Sequence, residues 1–358
     1  MSVLTRPGQR CALLFPPLIR TPILLILGLS ARSNVSAAGS SKTSMVSSPR
    51  SDATQLVSVV IPAYNASAHI RETLESVASQ HGPFNIEIIV VDDGSTDETR
   101  DIVKAFGGVR LVCQANAGPS AARNRGIAES TGNFVAFLDA DDLWPAGKLT
   151  AQMNVFDAHP DVDMVFGDCR IFTADGPRAQ TLFESEQLDR RFWGDAALVT
   201  DAYTKLFRLN YVPTGAAIIR RRCFDIAGRF DEARRYVEDM DLWFRIALHC
   251  QVGYTTHLCE LKREHPGNIS GDWEKMTLAF IDVLRSQQQQ YPDEIRRRGI
   301  NIGRRIAFEY SLMGDKRERN GDIKLARHRY LQAFRAYPSL RPLYYWLRTW
   351  TPAYNRTS

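Results

Sequence analysis

Leu56-Val-Ser-Val-Val-Ile61, closed by Pro62, is the stretch that decides the fold, because a short β-branched run ended by proline is typical of a buried strand. Apolar residues at helical spacing follow over residues 67–80, and Ile86-Glu-Ile-Ile-Val-Val91 then predicts a second strand. The alternation continues with a helix up to 106, a strand at 109–113, a helix at 119–130 and a strand at 134–138. This order predicts an α/β fold with a mostly parallel central sheet and helices on both faces.

The second half of the chain has a less regular pattern. It predicts strands at 163–167 and 216–220, loops and short helices over 170–212, and a strong amphipathic helix at 238–250. Beyond residue 272 nearly all of the signal is helical. Gly314 and Asn320-Gly321 punctuate it and predict a helical hairpin over residues 302–336.

Length, composition and charge narrow the class of protein. The 358 residues are 44% apolar and 24% charged, which excludes a disordered chain, a fibre and a disulfide miniprotein. The formal charge of +5 is unevenly distributed. From Leu261 to the end there are 19 Lys and Arg against 10 Asp and Glu, whereas the rest of the chain has 26 against 30. We therefore expect a slightly acidic body and a basic C-terminal region.

The first 55 residues are predicted to lie outside the folded body. Arg6 and Arg10 precede an interrupted apolar stretch at 11–30, and residues 31–55 are rich in Ser, Ala and Thr. A disordered extension, a targeting signal and a membrane-surface anchor all stay open, as does the question whether residues 1–44 belong to the native protein. The six cysteines form no C-x-x-C pair, which favours a reduced, cytoplasmic setting.

Four polar loops follow the predicted strands, at residues 62–65, 92–95, 116–119 and 139–142. Ligands of such sheets bind beyond the carboxyl ends of the strands. The last loop contains Asp139-Ala-Asp141, whose oxygens suit Mg²⁺ or Mn²⁺, although a solvated turn explains the same residues.

Three further groups have both a functional and a structural interpretation. Asp92 and Asp93 can bind a base or a ribose, or can form a turn that caps a helix. The pair Glu238-Asp239 can supply a general base, or can stabilise the start of a helix through its dipole. Arg123 and Arg125 can face a phosphate, or can belong to a solvated helix face.

Taken together and in order, the motifs resemble the inverting family 2 glycosyltransferases with a GT-A fold. The resemblance covers residues 56–270, and the basic helical region 271–358 lies outside it. The matching segments are Val57-Ser-Val-Val-Ile-Pro-Ala-Tyr-Asn65, Ser76-Val-Ala-Ser-Gln80, Val91-Asp-Asp-Gly-Ser-Thr-Asp97, Asn116-Ala-Gly-Pro119, Ala121-Ala-Arg-Asn-Arg-Gly-Ile127, Phe137-Leu-Asp-Ala-Asp-Asp-Leu-Trp144, Gly215-Ala-Ala-Ile-Ile-Arg220, Phe230-Asp-Glu232 and Val237-Glu-Asp-Met-Asp-Leu-Trp243.

This resemblance implies a role for each matching site residue. The nucleoside of the donor would be bound by Pro62, Ala63, Tyr64, Asp92 and Asp93, with Arg123 and Asp139 beside the nucleotide. Asp139 and Asp141 would hold a divalent cation, Mn²⁺ or Mg²⁺, with Asp141 the more direct ligand. Asp239 would be the catalytic base, supported by Glu238.

The resemblance also extends to Arg263-Glu-His-Pro-Gly-Asn-Ile-Ser270, similar to a segment that closes over the diphosphate. His265 is a candidate third metal ligand, with a surface histidine as the alternative, and Arg263 is a candidate phosphate contact. The family often has an aromatic residue where this chain has Lys262.

The function implied is a metal-dependent, inverting sugar transfer from a nucleoside-diphosphate sugar to a glycan or lipid-linked acceptor, in cell-surface polysaccharide or glycolipid synthesis. A sugar nucleotidyltransferase is disfavoured, because residues 62–65 are neither glycine-rich nor basic. A catalytically inactive carbohydrate-binding protein is disfavoured, because the acids are all present.

The basic C-terminal region leaves two interpretations open. Trp346-Leu-Arg-Thr-Trp350 with Tyr344 combines cations and aromatics, as segments at a membrane surface do, so peripheral association with the cytoplasmic membrane face is one interpretation. A solvated hairpin packed on the catalytic domain is the other, and nucleic acid is not an expected partner. The donor sugar, its base and the acceptor stay open. Phe192, Trp193 and Tyr211 could stack on a sugar, but core packing is the expectation for isolated aromatics.

Overall fold

An eight-stranded mixed sheet forms the centre of the protein, in the order β3-β2-β1-β4-β7-β5-β6 with β8 paired to β5. The computed structural model describes residues 55–194, 197–265, 267–268 and 272–351. The strands are β1 Gln55–Ala63, β2 Phe84–Asp92, β3 Val109–Cys113, β4 Phe134–Phe137, β5 Met164–Thr173, β6 Gly176–Pro177, β7 Ala217–Arg220 and β8 Val252–Arg263.

The helices flank this sheet and then continue beyond it. They are α1 Ile70–Ala78, α2 Thr99–Phe106, α3 Pro119–Glu129, α4 Lys148–Ala158, α5 Leu182–Glu186, α6 Arg190–Trp193, α7 Ala202–Leu206, α8 Arg222–Ala227, α9 Glu238–His249, α10 Trp273–Gln290, α11 Pro292–Arg297, α12 Ile302–Arg319, α13 Ile323–Ala336 and α14 Leu340–Arg348. A 3₁₀ turn, Thr214–Ala216, precedes β7. The described residues all fall within one compact unit that begins at Gln55, so the expectation for the preceding residues lies outside the described part of the chain.

The predicted α/β alternation is confirmed for β1 to β4. These strands pair in parallel, β1 with both β2 and β4, and β2 with β3. β1 runs to Ala63, one residue past Pro62, because a proline close to the end of a strand removes only one donor from the ladder. The side chains of Val59 and Ile61 are fully buried, as expected for a strand covered on both faces.

In the second half of the sheet, the sequence predicts β5 and β7 but not β6 or β8. β7 is antiparallel to β4 and to β5, while β8 runs parallel to β5 with register shifts around Asp168. β8 has no counterpart among the predicted strands, because its central residues alternate irregularly between polar and apolar. β8 matters for function, since Leu261 bridges Leu143 and so brings this strand against the loop after β4.

The C-terminal helices confirm the predicted hairpin, formed by α12 and α13. Gly314 does not interrupt it: this residue lies inside α12, where an added Cβ would be only 2.5 Å from Cε1 of Tyr330. Gly314 therefore permits close helix packing. Within the described ranges, no helix combines the length and the apolar character that crossing a bilayer requires.

Close packing of α3 on the sheet yields the first prediction. A Cβ on Gly126 would lie 2.1 Å from Cγ1 of Val60, a fully buried side chain of β1. We expect Gly126→Ala to lower the free energy of unfolding by about 1–3 kcal/mol, since the helix must shift to accept the methyl group. Urea unfolding measures this change. Arg125→Ala, on the exposed side of the same helix, is the control and is expected to change stability by less than about 1 kcal/mol; equal effects of the two substitutions would contradict the packing argument.

Candidate active site

The loops after β1 and β2 are joined to each other at one edge of the sheet. The amide of Asn65 donates to Oγ of Ser95 at 2.9 Å, and the amide of Thr96 donates to Oδ1 of Asn65 at 2.9 Å. Ala63 is buried and its carbonyl accepts from the amide of Asp93, whereas the ring of Tyr64 is 54% exposed. Tyr64 is therefore the most accessible side chain of the Pro62, Ala63 and Tyr64 set.

Asp92 and Asp93 are both buried and bind groups of the protein itself. Oδ2 of Asp92 accepts from Nε of Arg100 at 2.6 Å, and Oδ1 of Asp92 has no hydrogen-bond partner. Asp93 fixes the loop before α3: its Oδ1 accepts from Gln114 and from the amide of Ala117, and its Oδ2 accepts from the amide of Gly118 at 2.8 Å. Asp93 thus serves as a loop anchor, while Asp92 keeps an unsatisfied oxygen.

Arg123 connects two of the acidic groups that the sequence singled out. Its Nη2 donates to Oδ1 of Asp139 and its Nη1 to Oε1 of Glu238, each at 2.7 Å, and only 5% of its side chain is exposed. Burial opposes the charge of the guanidinium, but the two carboxylates raise the pKa of Arg123 overall. Arg125, by contrast, is exposed and pairs with Glu129 on the helix surface.

The same ion pair fixes the charge of Asp139. Burial alone would raise the pKa of this carboxyl, but Arg123 and then Lys262 outweigh burial and hold the pKa below its usual value. Asp139 is therefore ionised at neutral pH. The carboxylate lies directly after β4, where the sequence predicted it.

Asp141 and His265 lie together, as the sequence analysis expected of two metal ligands. Nε2 of His265 is 2.9 Å from Oδ2 of Asp141, and both side chains are about one-third exposed or less. The amide of Gly267 donates to Nδ1 of His265, which leaves Nε2 directed at the carboxylate. Asp139 does not complete a trio: among the described residues, Asp163, Cys223 and Cys250 are the set of three such donors within 4.8 Å of one another.

Arg263 is bound within the protein on three sides. Its amide donates to Oδ1 of Asp142, its Nε donates to the carbonyl of Asp141 at 2.8 Å, and its Nη2 pairs with Glu72 at 2.6 Å. The arginine therefore holds the loop after β4 against β8. Its positive charge lies next to Asp141, at the position that the sequence analysis gave to a phosphate contact.

The start of α9 carries the expected acidic pair. Oδ2 of Asp239 accepts from Oγ1 of Thr214 at 3.1 Å, and its Oδ1 accepts from the amide of Met240. Val237, just before the helix, has φ of +52°, an unfavourable conformation for a β-branched residue. Burial and the neighbouring Asp239 raise the pKa of Glu238, although Arg123 opposes them.

A buried charge cluster lies behind Asp139-Ala-Asp141, the D-x-D loop, and has no counterpart among the predicted site residues. Lys262 lies among Asp142, Glu260 and Asp139, and although burial disfavours its charge these acids raise its pKa. Burial raises the pKa of Asp142 and of Glu260, whose carboxyls hydrogen-bond each other. Lys262 was noted in the sequence as a replacement for an aromatic residue, whereas Glu260 lies on the unpredicted strand β8 and gave no signal.

Trp193 and Tyr211 do not line an open sugar site. They are 1% and 0% exposed and pack against each other with ring centroids 5.2 Å apart. Phe192 packs edge-on against both rings. The expectation of core packing is confirmed for this aromatic cluster.

A mostly parallel sheet with acidic groups gathered beyond its strand ends is the arrangement that the resemblance to GT-A glycosyltransferases predicts. The model of the family "Glycosyl transferase family 2" matches residues 58–224. An uncharacterised glycosyltransferase of Rickettsia prowazekii, RP339, is 32% identical over 257 residues, which cover 67% of this chain and 78% of that protein. The chain therefore belongs to glycosyl transferase family 2 and is a glycosyltransferase.

Two further proteins, one matched by sequence and one by structure, are similar to this chain. The UDP-Glc:alpha-D-GlcNAc-diphosphoundecaprenol beta-1,3-glucosyltransferase WfaP of Escherichia coli is 42% identical over 103 residues, which cover 28% of this chain and 41% of that protein. Among solved structures, S. aureus TarS 1-349 in complex with UDP-GlcNAc has a TM-score of 0.55 at 20% identity, covering 82% of this chain and 79% of that one. TarS shares the fold, which confirms the predicted GT-A architecture.

Lys148 yields a prediction on stability and pH. Its Nζ is fully buried, has no hydrogen-bond partner and lies 3.5 Å from the ring centroid of Trp144, and burial lowers its pKa to about 7. Below pH 7 both the folded and the unfolded state carry the charge, so the folded state bears the full cost of burial. As the pH rises from 7 towards 10.5, the folded state loses its proton first, and the cost disappears.

We therefore expect Lys148→Met to be more stable than the unmodified protein by on the order of 2–4 kcal/mol at pH 6, with a smaller difference at pH 9. Urea unfolding at both values measures it. Lys104→Met, at a lysine whose side chain is 65% exposed, is the control and should show no such trend. A stability difference that is the same at pH 6 and pH 9 would refute the assigned cause.

Proposed function

We propose that this glycosyltransferase is inverting and depends on a divalent cation, and that it transfers a sugar from a nucleoside-diphosphate donor to an acceptor hydroxyl. The observation that carries the proposal is the bridge by Arg123, which joins the D-x-D carboxylate Asp139 to Glu238, the neighbour of Asp239. Asp139, proposed to bind the donor, and Glu238, next to the proposed base, are thereby held at one edge of the sheet.

The nucleoside would lie beside the joined loops after β1 and β2. Tyr64 offers an exposed ring for stacking, and Asp92 has the oxygen without a partner that a base or ribose donor could reach after a small shift. Pro62, Ala63 and the anchored Asp93 would shape this pocket. The complex of TarS with UDP-GlcNAc supports a nucleoside-diphosphate sugar as the donor class.

The cation, Mn²⁺ or Mg²⁺, would be held by Asp141 and His265, with Asp139 beside it. The pair brings a carboxylate oxygen and an imidazole nitrogen within 2.9 Å of each other, and the cation would take the place of this hydrogen bond once the ring hydrogen of His265 moves from Nε2 to Nδ1. When bound, the cation would supply charge that stabilises the diphosphate leaving group. Arg263 adds a fixed positive charge on the same side.

Asp239 would act as the base. It accepts the proton of the acceptor hydroxyl while that oxygen bonds to the anomeric carbon from the side opposite the nucleoside diphosphate. The bond between the anomeric carbon and the phosphate oxygen breaks, and its electron pair leaves with the diphosphate, so the configuration inverts. Thr214 donates to one oxygen of Asp239 and so orients the carboxylate, and Glu238 stays paired with Arg123.

The acceptor would be a glycan carried on a lipid, at the cytoplasmic face of the membrane. The similarity to WfaP supports this choice, since that enzyme's name specifies a diphosphoundecaprenol acceptor. The biological role would then be the synthesis of a cell-surface polysaccharide or glycolipid.

Replacement of the base gives a prediction on activity. We expect Asp239→Asn to lower Mn²⁺-dependent release of nucleoside diphosphate from its sugar donor by roughly 10²–10⁴-fold, because an amide cannot accept the proton. A panel of nucleotide sugars identifies the donor on the unmodified protein, and calorimetry should find donor affinity within about threefold in the variant. Asp225→Asn, at an exposed acid of α8, is the control; full turnover by Asp239→Asn would remove Asp239 from the base role.

The metal assignment has a separate prediction. We expect Asp141→Asn and His265→Ala each to weaken Mn²⁺ binding, measured with UDP present by electron paramagnetic resonance, by at least about tenfold. His81→Ala, at an exposed histidine before β2, should leave the affinity unchanged. If both variants at the proposed site bind Mn²⁺ as tightly as the unmodified protein, the cation is held elsewhere.

A further inference from the structure

Exposed apolar side chains are concentrated at the C-terminal end of the described chain. Seven large apolar residues are exposed among the described residues, and five of them fall between positions 337 and 350. These five, which we call the α14 apolar face, are Tyr337 at 37% exposure, Leu340 at 85%, Tyr344 at 61%, Leu347 at 52% and Trp350 at 56%.

Three members of the α14 apolar face lie on one side of α14, while Tyr337 ends α13 and Trp350 follows α14. Leu340, Tyr344 and Leu347 follow the spacing i, i+4, i+7, which places them on a single stripe. The opposite side of α14 packs inward: Pro342 is buried, and the ring of Tyr345 stacks on Tyr330 with centroids 5.5 Å apart. The helix thus packs inward through Pro342 and Tyr345 and still directs a second apolar stripe outward, whereas an ordinary surface helix directs polar residues outward.

The surroundings of this stripe are positively charged. Residues 302–351 contain 11 Lys and Arg and only 4 Asp and Glu. The acids are largely matched within the helices, as in the pairs Arg348 with Glu318 and Arg305 with Glu309. Arg335 and Arg341 are exposed and lie within four positions of Tyr337 in the sequence, on either side of it.

We propose that the α14 apolar face is a membrane-docking surface that lies in the interface of an anionic lipid bilayer. Leucine and aromatic side chains would enter the boundary between head groups and acyl chains, while the flanking arginines would pair with lipid phosphates. The inference deepens the proposed function and rests on it, since a lipid-linked acceptor is what would require a glycosyltransferase to lie on a membrane.

Charge favours a bilayer over a second copy of this chain as the occupant. A symmetric dimer would bring the same patch of both copies together, and with it the same arginines, so that like charges would oppose each other. An anionic surface instead complements the flanking charge at every point.

The test is sedimentation of the full chain with equimolar phosphatidylglycerol and phosphatidylcholine vesicles and with pure phosphatidylcholine vesicles. We expect binding to the anionic vesicles, at least about tenfold weaker binding by Leu340→Ser/Leu347→Ser, and weaker binding by Arg335→Gln/Arg341→Gln. Ile226→Ser, at an exposed isoleucine of α8, is the matched control for loss of a surface apolar side chain and should bind normally.

Failure of the unmodified protein to sediment, or equal binding by the double leucine variant, would overturn the proposal. Size-exclusion chromatography tests the rival occupant: an oligomer that Leu340→Ser/Leu347→Ser converts to monomer, without vesicle binding by the parent, would assign the face to a second copy. Donor hydrolysis measured without vesicles should be the same for this variant and its parent. If neither the variant nor its parent hydrolyses the donor, the enzymatic proposal is refuted. The vesicle result then still decides whether the α14 apolar face binds a membrane.

Discussion

The arrangement of the site depends on one buried cation, the guanidinium of Arg123. It projects from α3 and binds Asp139 at the end of β4 and Glu238 at the start of α9. Asp139 lies 16 positions and Glu238 115 positions from Arg123 along the chain, and two carboxylates held so close together would repel each other without the arginine. Loss of this side chain would leave Glu238 without its ion-pair partner and Asp139 with only the charge of Lys262, so Arg123 links the charge of the D-x-D loop to the start of the helix that carries Asp239.

A second buried charge cluster supports the first from behind. Lys262 lies among Asp139, Asp142 and Glu260, and the acids that raise its pKa are the groups whose own ionisation it favours. Arg263, the next residue of β8, binds the loop through Asp142 and the carbonyl of Asp141. One strand thus supplies two adjacent cations to one acidic loop, at a position where the sequence resemblance predicts an aromatic residue.

The sequence could predict what depends on local pattern. The strands β1 to β4 and the helices between them follow from apolar periodicity, and the D-x-D pair and the acids of α9 follow from ordered motifs. The strand β8 could not be predicted, because it is stabilised by pairing with β5 some ninety residues earlier rather than by its own periodicity. The two ion pairs of Arg123 could not be predicted either. Nothing in the sequence around this helical arginine indicates that its partners, Asp139 and Glu238, come from two other elements.

The net charge of the basic C-terminal region can be interpreted only together with the ion pairs that its charged side chains form. Its net positive charge has two interpretations, a packed hairpin and a membrane-binding segment; the structure contains the packed hairpin, and the membrane-binding segment stays a proposal. Arg317 and Arg329 both bind Glu274 of α10, so part of the charge fastens the hairpin to the preceding helix. Arg317 and Arg329, whose charges are neutralised by Glu274, are therefore not available to lipid. Arg335 and Arg341, by contrast, are exposed and lie close in sequence to the outward stripe of α14. The packed hairpin is therefore the support that holds an apolar helix face in solvent, a costly position for a helix unless something apolar covers it.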